Sequence, residues 1–284
     1  MAGDARAMFP AVRWVRALIV ASHPGPCLAI TAFATVLAAE AAHGREPVLV
    51  APAMLAGQLS VGWSNDAFDA GRDAAAGRTG KPVASGVIAA RAVWIAAAAA
   101  LLAALAMSLA ISVPTAIINA VVIGAAWAYN AGLKSTLASG LMYLAGFGPL
   151  PAYAASTLPG HPAPTWWVTS AAALAGLGAH FANVLPDLAG DRATGVNGLP
   201  QQVAARWGAG AVRGIALLLL LSASVLLLLA AKPHRRWIAV AGLAAAAVLA
   251  VTGARGAGRV PFLTALSIAA IDVVLFAAGV DALT

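Results

Sequence analysis

Charged residues are scarce in this chain of 284 residues, of which only 10% are Asp, Glu, Lys or Arg. A typical soluble domain carries about 25% charged residues, whereas here 62% of the residues are hydrophobic and the mean hydropathy is +0.88. This composition excludes an ordinary soluble domain and indicates an integral membrane protein. Cysteine is nearly absent as well, because Cys27 stands alone. A disulfide framework within the chain and a cysteine metal site are therefore excluded.

Long apolar runs, separated by connections rich in Gly, Pro and charge, predict nine transmembrane helices. Their approximate ranges are 15–39, 48–70, 88–112, 115–133, 137–157, 165–187, 209–231, 237–254 and 261–281. We therefore expect an all-α, polytopic membrane protein whose residues 1–284 form a single transmembrane domain.

The basic residues predict how this domain is oriented in the membrane. With a cytoplasmic N-terminus, 13 of the 17 Lys and Arg residues fall on the cytoplasmic side, as the positive-inside rule requires. Because these residues are dispersed among membrane loops, the net charge of +7 does not indicate a nucleic-acid partner. The arginine- and alanine-rich composition is typical of a bacterial protein, so we expect a multi-pass protein of the plasma membrane in contact with lipid.

Five of the ten acidic residues form two clusters on the predicted cytoplasmic side. The first lies in NDAFDAGRD, residues 65–73, where Asp66, Asp69 and Asp73 stand at i, i+3 and i+7 with Asn65 beside them. This spacing places the three carboxylates on one face of a helix.

The second cluster lies in NVLPDLAGDRATG, residues 183–195. Asp187 and Asp191 stand at i and i+4, and Asn183 lies one turn earlier. Each cluster closes a predicted transmembrane helix, so we expect both to face the bundle or its mouth.

Ionised carboxylates repel one another on one helix face and cost about 2.5–3.5 kcal/mol each within a membrane. Clustered carboxylates without Cys or organised His suit a hard divalent cation, above all Mg²⁺, which commonly bridges a few carboxylates and substrate phosphates. Nearby cations would bind the remaining phosphate oxygens. These cations are Arg72, Arg78, Lys81, Lys134 and Arg192. The pattern predicts a diphosphate site, and its alternative is that the acids pair with Arg72, Arg78 and Arg192 as solvated loop charges.

At these residues the chain resembles the UbiA superfamily of intramembrane prenyltransferases. The first cluster matches that family's NDxxDxxxD pattern in full, and GRTGKPVASG, residues 77–86, is similar to the basic loop that follows it. The second cluster matches the DxxxD form, and GDRATGVNGLP, residues 190–200, is similar to the family's continuation.

The resemblance implies a bundle of nine helices around a central cavity that opens to lipid. It also implies Mg²⁺-dependent transfer of a prenyl group from a polyprenyl diphosphate to an aromatic or other lipophilic acceptor, a reaction of isoprenoid biosynthesis. By motif position, one metal-diphosphate edge comprises Asn65, Asp66, Asp69 and Asp73. Asp187 and Asp191 form the other edge, and Asn183 stands where some relatives carry an acid. Lys81, Lys134 and Arg72 are the implied diphosphate contacts.

Several polar residues near these motifs have two interpretations each. Tyr129, near Lys134, either contacts the diphosphate or marks the membrane interface, and His180 is either a cavity-facing base or a buried, hydrogen-bonded histidine. Asp272, within the ninth predicted span, either pairs with a buried donor or assists an acceptor. His23 with Pro24 interrupts the first span, where a kink and an acceptor contact are the alternatives.

Two other functions compete with prenyl transfer. A terpene synthase of the same fold would cyclise the prenyl diphosphate without an acceptor. A membrane transporter or binding protein would also use intramembrane carboxylates, but such a site is expected near the bilayer midplane. Only Asp272 meets that expectation, whereas the five clustered acids lie at the cytoplasmic mouth.

Overall fold

A computed structural model of the protein describes residues 10–42, 48–231, 233–234, 236–256 and 260–279. Within these ranges all regular structure is helical, and no residue lies in a strand. The α-helices are α1 (Pro10–Ala21), α2 (Pro24–Ala41), α3 (Val50–Ala75), α4 (Ala90–Ile111), α5 (Val113–Asn130), α6 (Ser139–Phe147), α7 (Leu150–Ala155), α8 (Trp166–Val184), α9 (Leu188–Ala193), α10 (Leu199–Ala230), α11 (Arg236–Arg255) and α12 (Val260–Gly279). A short 3-10 helix, Leu133–Ser135, follows α5.

Five of the described helices are long and apolar enough to cross a membrane, namely α2, α4, α5, α10 and α11. The apolar part of α12, Val260–Phe276, is shorter. The expected all-α membrane fold is therefore present in the described chain. The count of nine spans remains a prediction.

Three predicted spans differ from the observed helices. The first is divided between α1 and α2 at His23, which has a left-handed backbone (φ 54°) and precedes Pro24. The fifth is divided into α6 and α7 near Pro149, because proline has no backbone N–H to continue a helical ladder. The seventh begins ten residues earlier than predicted, at Leu199 instead of 209, and α10 is kinked at Gly208 (φ 81°).

Helix α3 is central to the first half of the chain, where it packs against α2, α4 and α5. In the second half, α8 packs along α10, and α12 contacts α8, α10 and α11. The main apolar core joins the two halves through residues such as Leu37, Tyr153 and Leu227. The Tyr153 hydroxyl donates a hydrogen bond to the Val50 carbonyl, 3.2 Å away, which ties α7 to the start of α3. The first acidic motif lies at the C-terminal end of α3, and the second covers the end of α8 and the short helix α9.

The break between α1 and α2 rests directly on α3. A Cβ atom at Gly62 would lie 2.0 Å from the Ser22 carbonyl oxygen, so only glycine permits this approach. The Trp63 indole donates to the Leu18 carbonyl at 2.9 Å, and the Cys27 thiol donates to the Ser22 carbonyl at 2.9 Å. These contacts hold the end of α1 against α3 at Gly62, which lies one helical turn before Asp66.

We predict that Gly62→Ala destabilises the protein although alanine favours helices. The new methyl group would meet the Ser22 backbone, and such overpacking costs about 1–3 kcal/mol. Thermal unfolding in detergent should show a lower Tm. Gly71→Ala is the matched control in the same helix, because its Cβ meets nothing within 4 Å and the gain in helix propensity is about 1 kcal/mol. Equal Tm values for the two variants would contradict the close contact.

Candidate functional site

The first acidic cluster is buried on one face of α3. Asp66 is 1% exposed, Asp69 8% and Asp73 2%. The i, i+3, i+7 spacing thus places the three carboxylates together, and the helix turns them into the protein rather than toward solvent. The alternative of solvated loop charges does not describe these three acids, because a solvated charge would be exposed.

Asp66 is paired with a lysine from the loop after α3. The Lys81 Nζ atom donates to Asp66 Oδ1 at 2.6 Å and also lies 3.0 Å from His23 Nε2. His23 Nε2 is itself 3.4 Å from Asp66 Oδ1. The break between α1 and α2 therefore takes part in the site, in addition to kinking the chain.

Asp69 and Asp73 are each paired with cations as well. The Lys134 ammonium donates to Asp69 Oδ1, and an Arg72 Nη atom lies 2.8 Å from Asp69 Oδ2. Arg78 Nη1 donates to Asp73 Oδ1 at 3.2 Å. The structure thus places four of the five predicted phosphate-binding cations against the first cluster. Arg192, the fifth, is exposed and forms no ion pair among the described residues.

Lys134 is buried in the 3-10 helix after α5, with only 7% exposure. Burial lowers the pKa of its ammonium group, and the Asp69 carboxylate opposes that decrease. Gly198 packs against the Lys134 backbone so closely that a Cβ would lie 2.4 Å from the Lys134 carbonyl oxygen. The loop before α10 therefore fixes the position of this lysine.

Asn65 binds the end of α5 instead of extending the acidic face. Its Nδ2 donates to Asn130 Oδ1 at 3.1 Å, and Asn130 Nδ2 donates in turn to Ser64 Oγ and the Val61 carbonyl, both at 3.0 Å. These bonds fasten α5 to α3 immediately before the Lys134 turn.

The second cluster is more open than the first. The preceding helix α8 ends at Val184, because Pro186 cannot continue the ladder, and not at residue 187 as predicted. Asp187 and Asn183 are exposed, whereas Asp191 in α9 is half-buried. The backbone still joins the two acids in one helical turn, since the Asp191 N–H donates to the Asp187 carbonyl at 2.8 Å.

Asp191 accepts a hydrogen bond from Gln201 Nε2 at 2.8 Å. Burial raises the pKa of Asp191, the Gln201 bond opposes the increase, and the nearby Asp187 charge adds to it. Arg72 and Arg78 also interact electrostatically with Asp191. The two clusters, distant in sequence, therefore lie at the same end of the molecule and share these two arginines.

An aromatic group lies between the two motifs. His180 is fully buried and stacks on Tyr143, with ring centroids 4.2 Å apart. Its Nε2 lies 3.1 Å from Ser139 Oγ, which accepts a hydrogen bond from Leu199 N at 2.8 Å. His180 thus has the buried, hydrogen-bonded position of our second interpretation. Tyr129 meets both rings edge to face and interacts electrostatically with Asp191 and Asp69, and its contact with a diphosphate stays a prediction.

Asp272 lies away from both clusters, between α12 and α10. It is 1% exposed, and Ser224 Oγ donates to its Oδ1 at 2.5 Å. The buried donor that one interpretation required is therefore present.

The oxygen atoms at this site suit a divalent cation that binds together with a phosphate-containing ligand. No three Asp, Glu, His or Cys side chains converge into a ready-made metal site in the described ranges. However, Mg²⁺ usually takes only one or two carboxylates and completes its shell with phosphates and water. Asp66 Oδ2 and Gln201 Oε1 are buried without hydrogen-bond partners. Both are hard oxygen atoms of the kind that Mg²⁺ prefers, one in each half of the site.

Sequence reasoning missed Gln201 and the contact that His23 makes with Lys81. Gln201 was overlooked because it stands ten residues after Asp191 in a new helix, although it is one of two adjacent glutamines in the first turn of that helix. The contact of His23 with Lys81 spans 58 residues and leaves no local pattern beyond the His-Pro pair.

Residues 27–276 match the UbiA prenyltransferase family. No curated protein sequence matches the chain significantly. Among solved structures, a digeranylgeranylglyceryl phosphate synthase is similar at 17% identity with a TM-score of 0.69, covering 94% of this chain and 98% of its own.

Two archaeal structures are similar as well. A UbiA homologue from Archaeoglobus fulgidus, bound to GPP and Mg²⁺, has 13% identity and a TM-score of 0.66, covering 93% of this chain and 99% of its own. The apo UbiA homologue from Aeropyrum pernix K1 has 20% identity and a TM-score of 0.66, covering 86% of this chain and 96% of its own. At these identities the likeness shows the fold.

We predict that Asp69→Asn destabilises the protein more than Asp66→Asn. The first change leaves the Lys134 ammonium, 7% exposed, without its charged partner, and breaking a buried pair costs about 3–5 kcal/mol. The second leaves Lys81, whose side chain is 23% exposed, in contact with water. Thermal melts in detergent measure the difference. Adding Lys134→Met to Asp69→Asn should restore much of the lost stability. If the double variant is no more stable than Asp69→Asn alone, the buried-pair explanation is contradicted.

Proposed function

The chain is a member of the UbiA prenyltransferase family, and on that premise we propose that it transfers a prenyl group from a polyprenyl diphosphate to a lipophilic acceptor within the membrane. The proposed reaction depends on Mg²⁺. Asp66, Asp69 and Asp73 are buried in a bundle whose long helices are apolar, which suits an isoprenoid substrate and a lipophilic acceptor. The structures of a UbiA homologue from Archaeoglobus fulgidus bound to GPP and Mg²⁺, and to DMAPP and Mg²⁺, support this substrate class.

One observation carries the proposal: three buried carboxylates on α3, each bound to a lysine or arginine. Such pairs contribute little net stability, because the cost of removing both charges from water offsets their attraction. Three such pairs on one helix face are better explained as pairs that change partners when a ligand binds. A divalent cation would take the place of the ammonium and guanidinium groups at the carboxylates, and those groups would turn to the oxygens of a diphosphate.

Mg²⁺, when bound, would neutralise charge on the diphosphate as it departs from the allylic carbon. Asp66, Asp69 and Asp73 would hold it on one side. Lys81 and Lys134 would donate hydrogen bonds to the diphosphate oxygens, and such charge-assisted bonds strengthen as the leaving group gains charge. The surrounding apolar helices would exclude water from the carbocation.

The second edge of the proposed site would be formed by Asp187, Asp191 and Gln201. Asp187 is exposed and thus accessible to an incoming cation, and Gln201 offers a free amide oxygen. Arg72 and Arg78 already interact with acids of both clusters. These two arginines would therefore contact a diphosphate held between the edges. Arg192 and Asn183 would remain at the exposed rim.

The proposal includes nine membrane spans, a central cavity, and a plasma-membrane location with both motifs in the cytoplasm. The distribution of basic residues supports this orientation.

We predict that cysteine introduced at Ala76, an exposed position beside the first motif, reacts with an impermeant thiol reagent only after permeabilisation. Cysteine at Pro159, in the exposed loop between α7 and α8, should react in intact cells. The reverse pattern would overturn the orientation. The protein without an introduced cysteine, in which Cys27 is buried, gives the background labelling.

We predict that Asp66→Asn lowers the rate of prenyl diphosphate turnover about a hundredfold. Loss of one metal-binding charge beside the leaving group costs about 3 kcal/mol, in line with other electrostatic groups at reacting centres. Purified protein would be assayed with a prenyl diphosphate and a lipophilic acceptor over a Mg²⁺ titration.

Asp272→Asn is the matched control, because Asp272 is equally buried at 1% exposure but lies outside both clusters. It should keep the affinity for Mg²⁺ and prenyl diphosphate. Full turnover by Asp66→Asn, or wild-type turnover that persists in EDTA, would refute the metal-diphosphate proposal.

A further inference from the structure

The chain turns sharply at His23, between two helices that are each packed against α3. His23 has a left-handed backbone, φ 54° and ψ 64°, which is uncommon for a residue with a side chain. Two contacts to the preceding residue support this conformation, since Gly62 packs against the Ser22 carbonyl and the Cys27 thiol donates to it. Strained backbone of this kind tends to occur where it positions a functional group. Here it directs an imidazole toward Asp66.

The hydrogen-bonding role of His23 follows from its neighbour. The Lys81 ammonium has three N–H donors and no acceptor, and its Nζ lies 3.0 Å from His23 Nε2. In this contact Lys81 therefore donates and His23 Nε2 accepts. A second Lys81 donor binds Asp66 Oδ1 at 2.6 Å. The third donor of Lys81 is left for another acceptor.

We infer that His23 is a positioning residue that keeps Lys81 at the site when a divalent cation takes the Asp66 carboxylate. This inference rests on the proposed function. In the structure Lys81 is held by one charged and one neutral partner. Competition from Mg²⁺ for Asp66 would weaken the charged contact, but Mg²⁺ prefers oxygen ligands to imidazole nitrogen, so the His23 contact would remain available to Lys81. Lys81 then stays anchored through His23 and presents its remaining donors to the diphosphate.

Without His23, Lys81 would have no described side-chain partner other than Asp66. A flexible lysine whose side chain is 23% exposed would leave the site once Asp66 bound the cation, because four rotatable bonds favour the solvated state. His23 is thus the element that couples the break between α1 and α2 to diphosphate binding. Its own contact with the ligand is not required.

The test uses the purified full-length protein in detergent, with inorganic pyrophosphate and Mg²⁺ as the probe. Isothermal titration would measure the Kd of pyrophosphate at fixed Mg²⁺. We expect His23→Asn to raise this Kd about tenfold, in the range found for residues that orient the groups at a metal site without binding the metal themselves. Asparagine tolerates a left-handed backbone but is too short to replace Nε2. His23→Gln places an amide oxygen near the position of Nε2 and should restore most of the affinity.

His161 provides a matched control for the backbone. It also has a positive φ, 48°, also precedes a proline, and lies in the loop between α7 and α8 with its Nδ1 2.7 Å from the Ser156 carbonyl. His161→Asn should leave pyrophosphate affinity unchanged. A double variant tests whether His23 acts through Lys81. If it does, His23→Asn should not lower the pyrophosphate affinity of a Lys81→Met protein any further.

The outcomes separate this inference from the function on which it rests. Wild-type protein that does not bind pyrophosphate with Mg²⁺ would overturn the proposed function together with the inference. Binding by wild type and equal binding by His23→Asn would overturn the inference alone. A His23→Gln variant as weak as His23→Asn, or an undiminished effect of His23→Asn beside Lys81→Met, would likewise show that His23 does not act as an acceptor for Lys81.

Discussion

An ionised carboxylate inside a membrane protein is stable only beside a positive charge, and this constraint organises one end of the molecule. Helix α3 turns three carboxylates inward, and each draws a cation to it. Lys81 and Arg78 come from the loop after α3, whereas Lys134 comes from the turn after α5. The polar connections are therefore ordered by the charges they neutralise, and the cations lie where an anionic ligand would need them. Close backbone contacts at Gly62 and Gly198 make these pairings possible, because a methyl group at either position would separate the parts that carry them.

The two acidic motifs have different electrostatic surroundings. Asp66, Asp69 and Asp73 are buried and neutralised by direct ion pairs, whereas Asp187 is exposed and Asp191 is bound by the neutral Gln201. Burial raises the pKa of Asp191 and Arg72 and Arg78 oppose that increase, but among the described residues this half of the site lacks a directly paired positive charge. An incoming divalent cation would provide that charge. The first half already has its cations, and in the proposed function these would turn to a diphosphate once Mg²⁺ took their place at the carboxylates.

The sequence by itself determined the features that depend on composition and on neighbouring residues. Apolar runs indicated helices in a membrane, and the spacing of Asp66, Asp69 and Asp73 determined that they share a helix face, because side-chain direction repeats with the helical turn. The two acidic motifs also indicated the family, since each is a pattern of neighbouring residues. Helix ends were predicted less well, as Val184 and Leu199 show, because a single proline or glycine shifts them without changing the apolar pattern.

Only the tertiary structure decided which lysine meets which acid. The contact of Lys134 with Asp69 spans 65 residues and that of Lys81 with His23 spans 58, so neither is encoded in a local period. The burial of His180 against Tyr143 and the bond from Gln201 to Asp191 likewise required the packed bundle. The physical reason is that a charge or a polar side chain specifies only the kind of partner it needs. Helix packing, governed by where glycine and proline permit contact or impose a break, determines which residue supplies that partner.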